Sequence, residues 1–280
     1  MRNMICALAC LMLVFGMAAG TAETDPSFRA IFFDVGKGDC ILVSAGGTHV
    51  LIDAGYAETA DDVIAQIREA GVERLDAVIL THYDKDHVGG AQRIIDSFPV
   101  GQVYLPGYEG SGKYYDVITY MVRVGGLAAE KVTEDTGFTL GGARFDIYAT
   151  RLAYIPGEGK EEGNDNDVSL VVAVTYGADS WLFPGDIEAE GISSWLAAGH
   201  GTYDVVKMPH HGANEKNSDD FIAQVKMQIA VITDSEEEPV KKKMRKQLDA
   251  VGAKMYCSSE NGTITVTGDG NGNYKVVTEK

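Results

Sequence analysis

The sequence has little cysteine, little proline and little positive charge. Its 280 residues include only 4 cysteines and 7 prolines, too few for a disulfide-rich scaffold or a proline-rich linker. The 24 basic residues face 41 acidic ones, a formal net charge of −17. This balance argues against a protein that holds long nucleic acid by neutralising its phosphates. With no internal repeat or low-complexity tract either, residues 23–280 are predicted to form a single domain.

The first residues resemble an export signal. Arg2 precedes an apolar run at residues 5–15, and Gly20 and Ala22 supply the small residues that a signal peptidase reads. The run is shorter than the roughly 20 apolar residues of a membrane span. We therefore expect residues 1–22 to be a signal peptide. The mature protein would be secreted or otherwise extracytoplasmic, at the cell surface or free, with no stable membrane span. An uncleaved anchor is the alternative.

Signal cleavage would remove two of the cysteines and leave Cys40 and Cys257. Two cysteines allow one disulfide, which an oxidising compartment permits. Cys40 begins an apolar segment, however, and a cysteine in that setting is commonly a buried thiol. The sequence leaves both alternatives open.

The segment THYDKDHVGG, residues 81–90, contains two imidazoles and two carboxylates within six positions. An apolar strand is predicted just before it, at residues 75–80, and a helix is predicted to begin at Gly90. The candidate ligands at the strand's end are His82, Asp84, Asp86 and His87. Imidazole and carboxylate ligands suit borderline and hard divalent cations, and two such cations close together hydrolyse esters and phosphodiesters.

Two further segments place polar residues directly after apolar strands. Asp186 ends the segment WLFPGD, and His210 and His211 follow the strand-like YDVVKMP. Four of the six histidines therefore lie in two short motifs, whereas His49 and His200 lie elsewhere and are predicted to have no function. This concentration favours one metal centre built from separate loops.

Six segments, in order along the chain, resemble the metallo-β-lactamase superfamily, and within it the soluble domain of ComEC-type competence proteins. They are FDVGKGDC (33–40), LIDAG (51–55), THYDKDHVGG (81–90), NDVSL (166–170), PGD (184–186) and MPHHG (208–212). The resemblance extends over residues 28–277. It implies an α/β (α+β) fold, the four-layer αβ/βα sandwich in which helices flank two packed mixed sheets. The apolar patterns predict strands near residues 30–35, 41–44, 49–52, 75–80, 102–105, 144–149, 169–175, 180–183, 203–207, 228–233, 254–257 and 263–267, and helices near residues 59–70, 90–97, 113–124, 187–197, 218–225 and 239–251. Strands this numerous with interspersed helices fit that architecture.

The resemblance also implies roles for individual residues. His82 and Asp84 would hold one divalent ion, Asp86 and His87 the other, and Asp186 would bridge the two. His210 would complete the second ion's ligands, with His211 as the other candidate of the adjacent pair. A hydroxide between the ions would be the nucleophile, which makes Asp86 and Asp186 the catalytic carboxylates. Asn166 and Ser169 would contact the substrate or orient ligands, and Asp34, Asp39 and Asp53 would cap turns that position the metal loops.

Two departures from the superfamily's commonest pattern affect the choice of metal. Asp84 stands at the middle histidine of the H-x-H-x-D-H signature, and the segment from Asn166 to Ser169 stands where a further histidine is common. Both changes replace nitrogen with oxygen, which shifts the preference from zinc towards manganese without excluding zinc. They also weaken a β-lactamase interpretation.

The sequence thus predicts a secreted dinuclear hydrolase that acts on a phosphodiester-containing substrate, either nucleic acid or a cell-wall component. A cell-wall or choline-phosphate esterase is one alternative, favoured by export, acidity and the tyrosines between residues 104 and 120, which could stack on a quaternary ammonium group. A non-catalytic binding module on the same fold is another. The basic run at residues 241–246 is predicted to be a helix surface.

Overall fold

A computed structural model of the protein describes residues 28–157 and 163–280. The expected signal peptide at residues 1–22 lies outside the described residues. The strands are β1 Phe28–Phe32, β2 Ile41–Ala45, β3 Thr48–Ile52, β4 Leu75–Ile79, β5 Val100–Pro106, β6 Ala129–Val132, β7 Thr136–Leu140, β8 Ala143–Tyr148, β9 Val171–Tyr176, β10 Asp179–Phe183, β11 Val205–Lys207, β12 Ile229–Ile232, β13 Lys254–Cys257, β14 Ile264–Gly268 and β15 Tyr274–Thr278. The α-helices are α1 Ala60–Glu69, α2 Lys85–Val88, α3 Ala91–Ser97, α4 Lys113–Arg123, α5 Ala189–Ala198, α6 Ser218–Val225, α7 Lys242–Ala250 and α8 Ser258–Asn261, and Pro209–Gly212 forms a 3-10 turn.

The strands form two mixed sheets. The first has the order β15-β14-β1-β2-β3-β4-β5-β6, with antiparallel pairing up to β3 and parallel pairing beyond it. The second has the order β13-β12-β11-β10-β9-β8-β7, parallel from β13 to β10 and antiparallel from β10 to β7. The predicted architecture of two mixed sheets flanked by helices is confirmed.

Apolar side chains fill three layers. Between the sheets, Phe28 lies against Trp181 with ring centroids 4.6 Å apart, and Phe32 lies 6.0 Å from Phe183. Alternate residues of the same strands point outward; Leu42, for example, packs in the layer covered by α1 and α3. Central strands are therefore buried on both faces, and burial of each large side chain stabilises the fold by about 1.5–3 kcal/mol.

Three strands were not predicted: β6, β7 and β15. All three lie at the ends of the sheets, and most of their residues are partly or fully exposed. An edge strand buries little apolar surface, so its hydrophobic pattern is weak.

Both cysteines of the described segments are free, buried thiols. Cys40 packs between the first sheet and its helices, and Cys257 packs on the helix-covered side of the second sheet. Of the two alternatives left open by the sequence, the structure therefore shows free thiols and not a disulfide between Cys40 and Cys257. In residues 28–157 and 163–280, none of the helices combines the length and the apolar character that crossing a membrane requires.

The basic run lies mainly on α7. Lys242, Lys243 and Lys246 are exposed, and Arg245 pairs with Glu260 at 2.6 Å. On the other face of the helix, Met244 and Leu248 are buried. The run is thus the solvated face of a helix, as predicted, although the helix begins three residues after Pro239, not at it.

Candidate metal centre

The first loop of the centre follows β4 in the first sheet. It places His82 beyond the strand's end and brings Asp86 and His87 into the short helix α2. Gly90 allows this loop to lie against the chain that follows β3, because a Cβ there would lie 2.4 Å from the carbonyl oxygen of Ala54. The N–H of Gly90 donates to the carbonyl of Gly55 at 2.9 Å.

The other loops follow β10 and β11 in the second sheet. These strands are parallel, so their carboxyl ends meet at one edge, where Asp186 and the His210–His211 pair follow. Gly185 has φ +58°, and a Cβ there would lie 3.1 Å from the Cβ of Thr81, so a side chain would be both strained and crowded. The amide of Leu170 donates to the carbonyl of Thr81 at 2.9 Å and joins the two sheets beside the centre.

Four side chains converge where these loops meet, and we call them the inner site: Asp86, His87, Asp186 and His211. Asp186 Oδ2 lies 3.0 Å from His211 Nε2 and 3.2 Å from His87 Nε2. Both Nε2 atoms are buried and make no hydrogen bond. A divalent cation bonded at about 2.0–2.2 Å to each ligand holds neighbouring ligand atoms roughly 3.0–3.5 Å apart. The spacing and the unsatisfied nitrogens therefore fit a metal ion.

His82 and Asp84, the expected ligands of another ion, lie beside the inner site, and we call this pair the second site. The His82 and His87 rings lie 4.2 Å apart between centroids, and His82 Nε2 is buried without a hydrogen bond. It lies 3.9 Å from Asp84 Oδ2, on a side chain that is 45% exposed. A cation here would have two donors of its own and would have to share Asp186.

The predicted ligand His210 does not reach the inner site. Its Nδ1 lies 3.2 Å from Glu215 Oε1 and 3.3 Å from Glu188 Oε1. Both histidines of the pair have left-handed backbone conformations, with φ of +44° and +51°, and this turn carries His211, not His210, to Asp186. The geometry therefore corrects the assignment: His211 occupies the place expected for His210.

Hydrogen bonds behind the ligands fix their tautomers. His87 Nδ1 lies 2.8 Å from Asp53 Oδ2, and Asp53 also accepts bonds of 2.8 Å from the amide and the hydroxyl of Thr81. Because that hydroxyl donates to Asp53, it accepts from His82 Nδ1 at 3.0 Å. Each Nδ1 atom thus carries a proton, and Nε2 is the atom that His87 and His82 present to the centre. Asp53 lies directly after β3 with φ +56°, and its carboxylate holds Thr81 and His87 of the loop after β4 instead of capping a turn of its own.

His211 is oriented in the same way. The hydroxyl of Thr233 donates to Asp39 Oδ1 at 2.7 Å and so accepts from His211 Nδ1 at 3.0 Å. Asp39 is buried behind both inner-site imidazoles, as the 3.9 Å from its Oδ2 to His87 Nδ1 shows.

Sequence reasoning missed Lys207, the last residue of β11. Its side chain is fully buried, and its Nζ donates to Asp186 Oδ1 at 2.9 Å and to the carbonyl of Gly185 at 3.0 Å. A third contact, at 2.6 Å, reaches Asp39 Oδ2. A lysine is rarely buried without such partners, and the signal in the sequence was a cation within the apolar strand DVVKMP.

The sequence model of the metallo-beta-lactamase superfamily matches residues 33–232. The chain belongs to this superfamily. It is 25% identical over 247 residues to ComE operon protein 3 of Bacillus subtilis, covering 81% of this chain and 30% of that protein. It is 26% identical over 226 residues to competence protein ComA of Neisseria gonorrhoeae, and this match covers 79% of this chain and 29% of that protein. The chain thus spans under a third of the length of these relatives.

Among solved structures, the metallo-beta-lactamase fold protein YhfI of Bacillus subtilis is similar, with a TM-score of 0.58 and 14% sequence identity. The match covers 86% of this chain and all of that one, and it shows the shared fold. The fold typically binds divalent metals, and the described residues include candidate groups of metal ligands.

Asn166 and Ser169, which were expected to contact the substrate or orient ligands, have different partners. Ser169 Oγ accepts a 3.4 Å bond from the amide of Asp186 and so supports that ligand's backbone. Asn166 Nδ2 donates to Glu188 Oε1 at 2.9 Å. Asn166 is therefore tied to the Glu188–His210–Glu215 group, not to the inner site.

The inner-site carboxylates are strongly acidic. Burial raises the pKa of Asp86, but His211, whose Nε2 lies 3.5 Å from Asp86 Oδ2, and the charge of His87 outweigh burial and lower the pKa to about 2. Burial also raises the pKa of Asp186, and the charges of His211, His87 and Lys207 outweigh it and hold this pKa well below its usual range. Both groups are therefore carboxylates near neutral pH, as cation ligands must be.

The imidazoles divide into two kinds. Burial lowers the pKa of His87 and of His211, but the charge of Asp186 outweighs it and raises both pKa values. At the second site, burial lowers the pKa of His82 well below its ordinary value, and burial, with the charge of Asp165 next, raises the pKa of Asp84 to about 6. The inner site attracts positive charge more strongly than the second site does.

The tyrosines near the centre are used largely for packing. Tyr83 makes edge contacts with Tyr108 and Tyr115 at 5.3 and 5.0 Å, and Tyr108 stacks on Tyr154 at 4.3 Å. Tyr104 stacks on a phenylalanine of β7. Contacts with other aromatic rings account for the positions of these tyrosines without a ligand, which weakens the argument for a quaternary ammonium site.

Proposed function

We propose that this metal-dependent hydrolase is a phosphodiesterase, with the inner site as its main cation position and His82 and Asp84 as its second. The observation that carries the proposal is the convergence on Asp186 of buried, unsatisfied imidazole nitrogens. Similarity to competence proteins and the oxygen-rich ligand set support phosphodiester substrates over β-lactams. Manganese or zinc would serve as the divalent ions.

The residues have separate roles in this proposal. Bound divalent ions supply Lewis acidity, lower the pKa of an attacking water and neutralise charge on phosphate oxygens. Asp186 offers Oδ2 to the inner site and holds its two histidines together. Asp86, which is one-fifth exposed, faces the opening and would orient the attacking water. Asp53 and Asp39 keep the imidazole protons on Nδ1.

The substrate would be nucleic acid or a phosphodiester of the cell wall, met outside the cytoplasm. The net charge of −17 implies that the protein contacts a short stretch of such a polyanion and not an extended track. Cleavage of a small chromogenic phosphodiester should therefore depend little on ionic strength.

The test is a substrate panel with the purified protein loaded with manganese or zinc. The panel contains bis(p-nitrophenyl) phosphate, single-stranded DNA, a choline-phosphate ester and a chromogenic β-lactam. We expect phosphodiester turnover that His87→Ala abolishes. The matched control His49→Ala removes an imidazole bonded to Ser44, away from the centre, and should keep the activity. Turnover of the choline ester alone would identify the esterase instead, and binding without turnover would identify a non-catalytic module.

A further inference from the structure

We infer that Lys207 makes the two cation positions unequal, because its ammonium occupies one oxygen of the carboxylate that both cations would share. The first divalent ion would then bind tightly at the inner site, and the second would bind much more weakly beside His82 and Asp84. The inference rests on the proposed metal centre and not on the proposed substrate.

The geometry of Asp186 leaves its two oxygens with different partners. Oδ1 lies 2.9 Å from Lys207 Nζ, whereas Oδ2 faces His87 and His211 at 3.2 and 3.0 Å. A carboxylate with both oxygens free can give one oxygen to each of two metals. Here Oδ1 is already engaged by a permanent cation, so both metals would have to compete for Oδ2.

Lys207 cannot easily move aside. Its side chain has no solvent exposure, and Asp39 and the carbonyl of Gly185 hold the ammonium at 2.6 and 3.0 Å. Withdrawing the ammonium would leave Asp39 as an uncompensated buried charge, which is strongly unfavourable. The ammonium is therefore a fixed part of the centre.

The two sites differ in how well they tolerate this charge. Besides the shared Asp186, the inner site has the carboxylate of Asp86 and two buried imidazoles, His87 and His211, to offset the ammonium's repulsion of a dication. The second site has one carboxylate of its own, Asp84, and that side chain is 45% exposed. Repulsion between like charges in a poorly solvated centre acts on both positions. The second position has fewer buried ligands to compensate for that repulsion.

A purely structural lysine would have a different signature. It would stabilise the fold, and its loss would leave the ratio of the two metal affinities unchanged. A lysine that engages the shared carboxylate must change that ratio. The ratio of the two dissociation constants, measured without reference to catalysis, separates these roles.

The experiment is calorimetric titration of the metal-free protein with Mn²⁺ and with Zn²⁺, and metal analysis after gel filtration. The wild type should show two binding events whose dissociation constants differ by about 100-fold. After gel filtration it should retain one ion per chain. The double variant Lys207→Met/Asp39→Asn removes both charges of the buried pair, and the introduced amide can still accept from Thr233. Its two constants should differ by less than about tenfold.

Asp39→Asn alone is the matched control, because it leaves the ammonium with Asp186 as its only acidic partner. The gap between the constants should stay or widen in this variant. Far-ultraviolet circular dichroism checks folding, and Lys207→Gln, which keeps hydrogen-bond donors without the charge, replaces the double variant if that variant unfolds.

Two equal sites in the wild type, or a gap that persists after the ammonium is removed, would overturn the inference. No metal binding at all would overturn the inference together with the proposed metal centre. Unequal binding in a protein without phosphodiesterase activity would support the inference and contradict only the proposed substrate.

Discussion

The inner site takes its ligands from both sheets, whereas the second site takes its own two from one loop. Asp86 and His87 come from the first sheet's α2, and Asp186 and His211 come from loops of the second sheet. Three of these four are buried, and both histidines have partners behind them. At the second site Asp84 is half-exposed. The contrast indicates that rigidity around a ligand, as much as the type of ligand, distinguishes two adjacent metal positions.

The largest expected effect tests what the two sites share. Asp186→Ala should reduce phosphodiester turnover on the order of 1000-fold, because the variant loses the carboxylate that both ions are proposed to share. Tight metal binding should be lost as well. Steady-state kinetics and metal analysis of the same preparation give the two readouts, and a variant that keeps its tightly bound ion would contradict the shared role.

The next effect concerns the support behind the inner site. Asp53→Asn should weaken metal binding by about 10- to 100-fold, because His87 loses the charged acceptor that holds its Nδ1 proton. A chelator competition with Zn²⁺ measures the affinity. Asp76→Asn is the control: Asp76 is a carboxylate that accepts from the amide of His49, and its loss should leave the affinity unchanged.

A smaller effect isolates the second site. Asp84→Ala should abolish the weaker binding event and lower turnover about tenfold, and the stronger event should keep its affinity. Titration calorimetry distinguishes the two events. If the stronger event weakened to a similar extent, the two positions would not be separable as described.

The smallest effect is expected for Asn166→Ala. Its side chain bonds to Glu188 and not to an inner-site ligand, so loss of this hydrogen bond should lower turnover about three- to tenfold. The affinity for metal should not change. A large fall in metal affinity would instead make Asn166 part of the metal site.

The same contrast explains what the sequence could predict. Apolar strands that end in His/Asp motifs are local patterns, so the loops that carry His82, Asp86, His87 and Asp186 could be recognised without a structure. The choice between His210 and His211 could not be predicted, because both follow the same strand. Only the left-handed turn decides which ring faces Asp186. Local patterns therefore identify the loops and not the direction of each side chain.

Lys207 illustrates a second limit. The apolar strand around Lys207 indicates a buried cation, but its partners Asp39 and Asp186 lie in loops of different sheets and are distant along the chain, so the sequence does not identify them. The strands at the ends of the sheets were not predicted for a different reason, because the apolar pattern of strands such as β15 is weak. Prediction succeeds where a residue's role depends on its neighbours in sequence and fails where it depends on packing between distant segments.

Because the inner-site ligands come from different sheets, a cation bound there would act as a removable crosslink across the sandwich. At a free concentration about 100 times its dissociation constant, such an ion would add about 2.7 kcal/mol to the free energy of unfolding. Amide exchange at residues such as Leu170, whose N–H spans the two sheets beside the centre, would then slow as metal is supplied. Resistance to proteases would rise and fall with the supply of divalent metal.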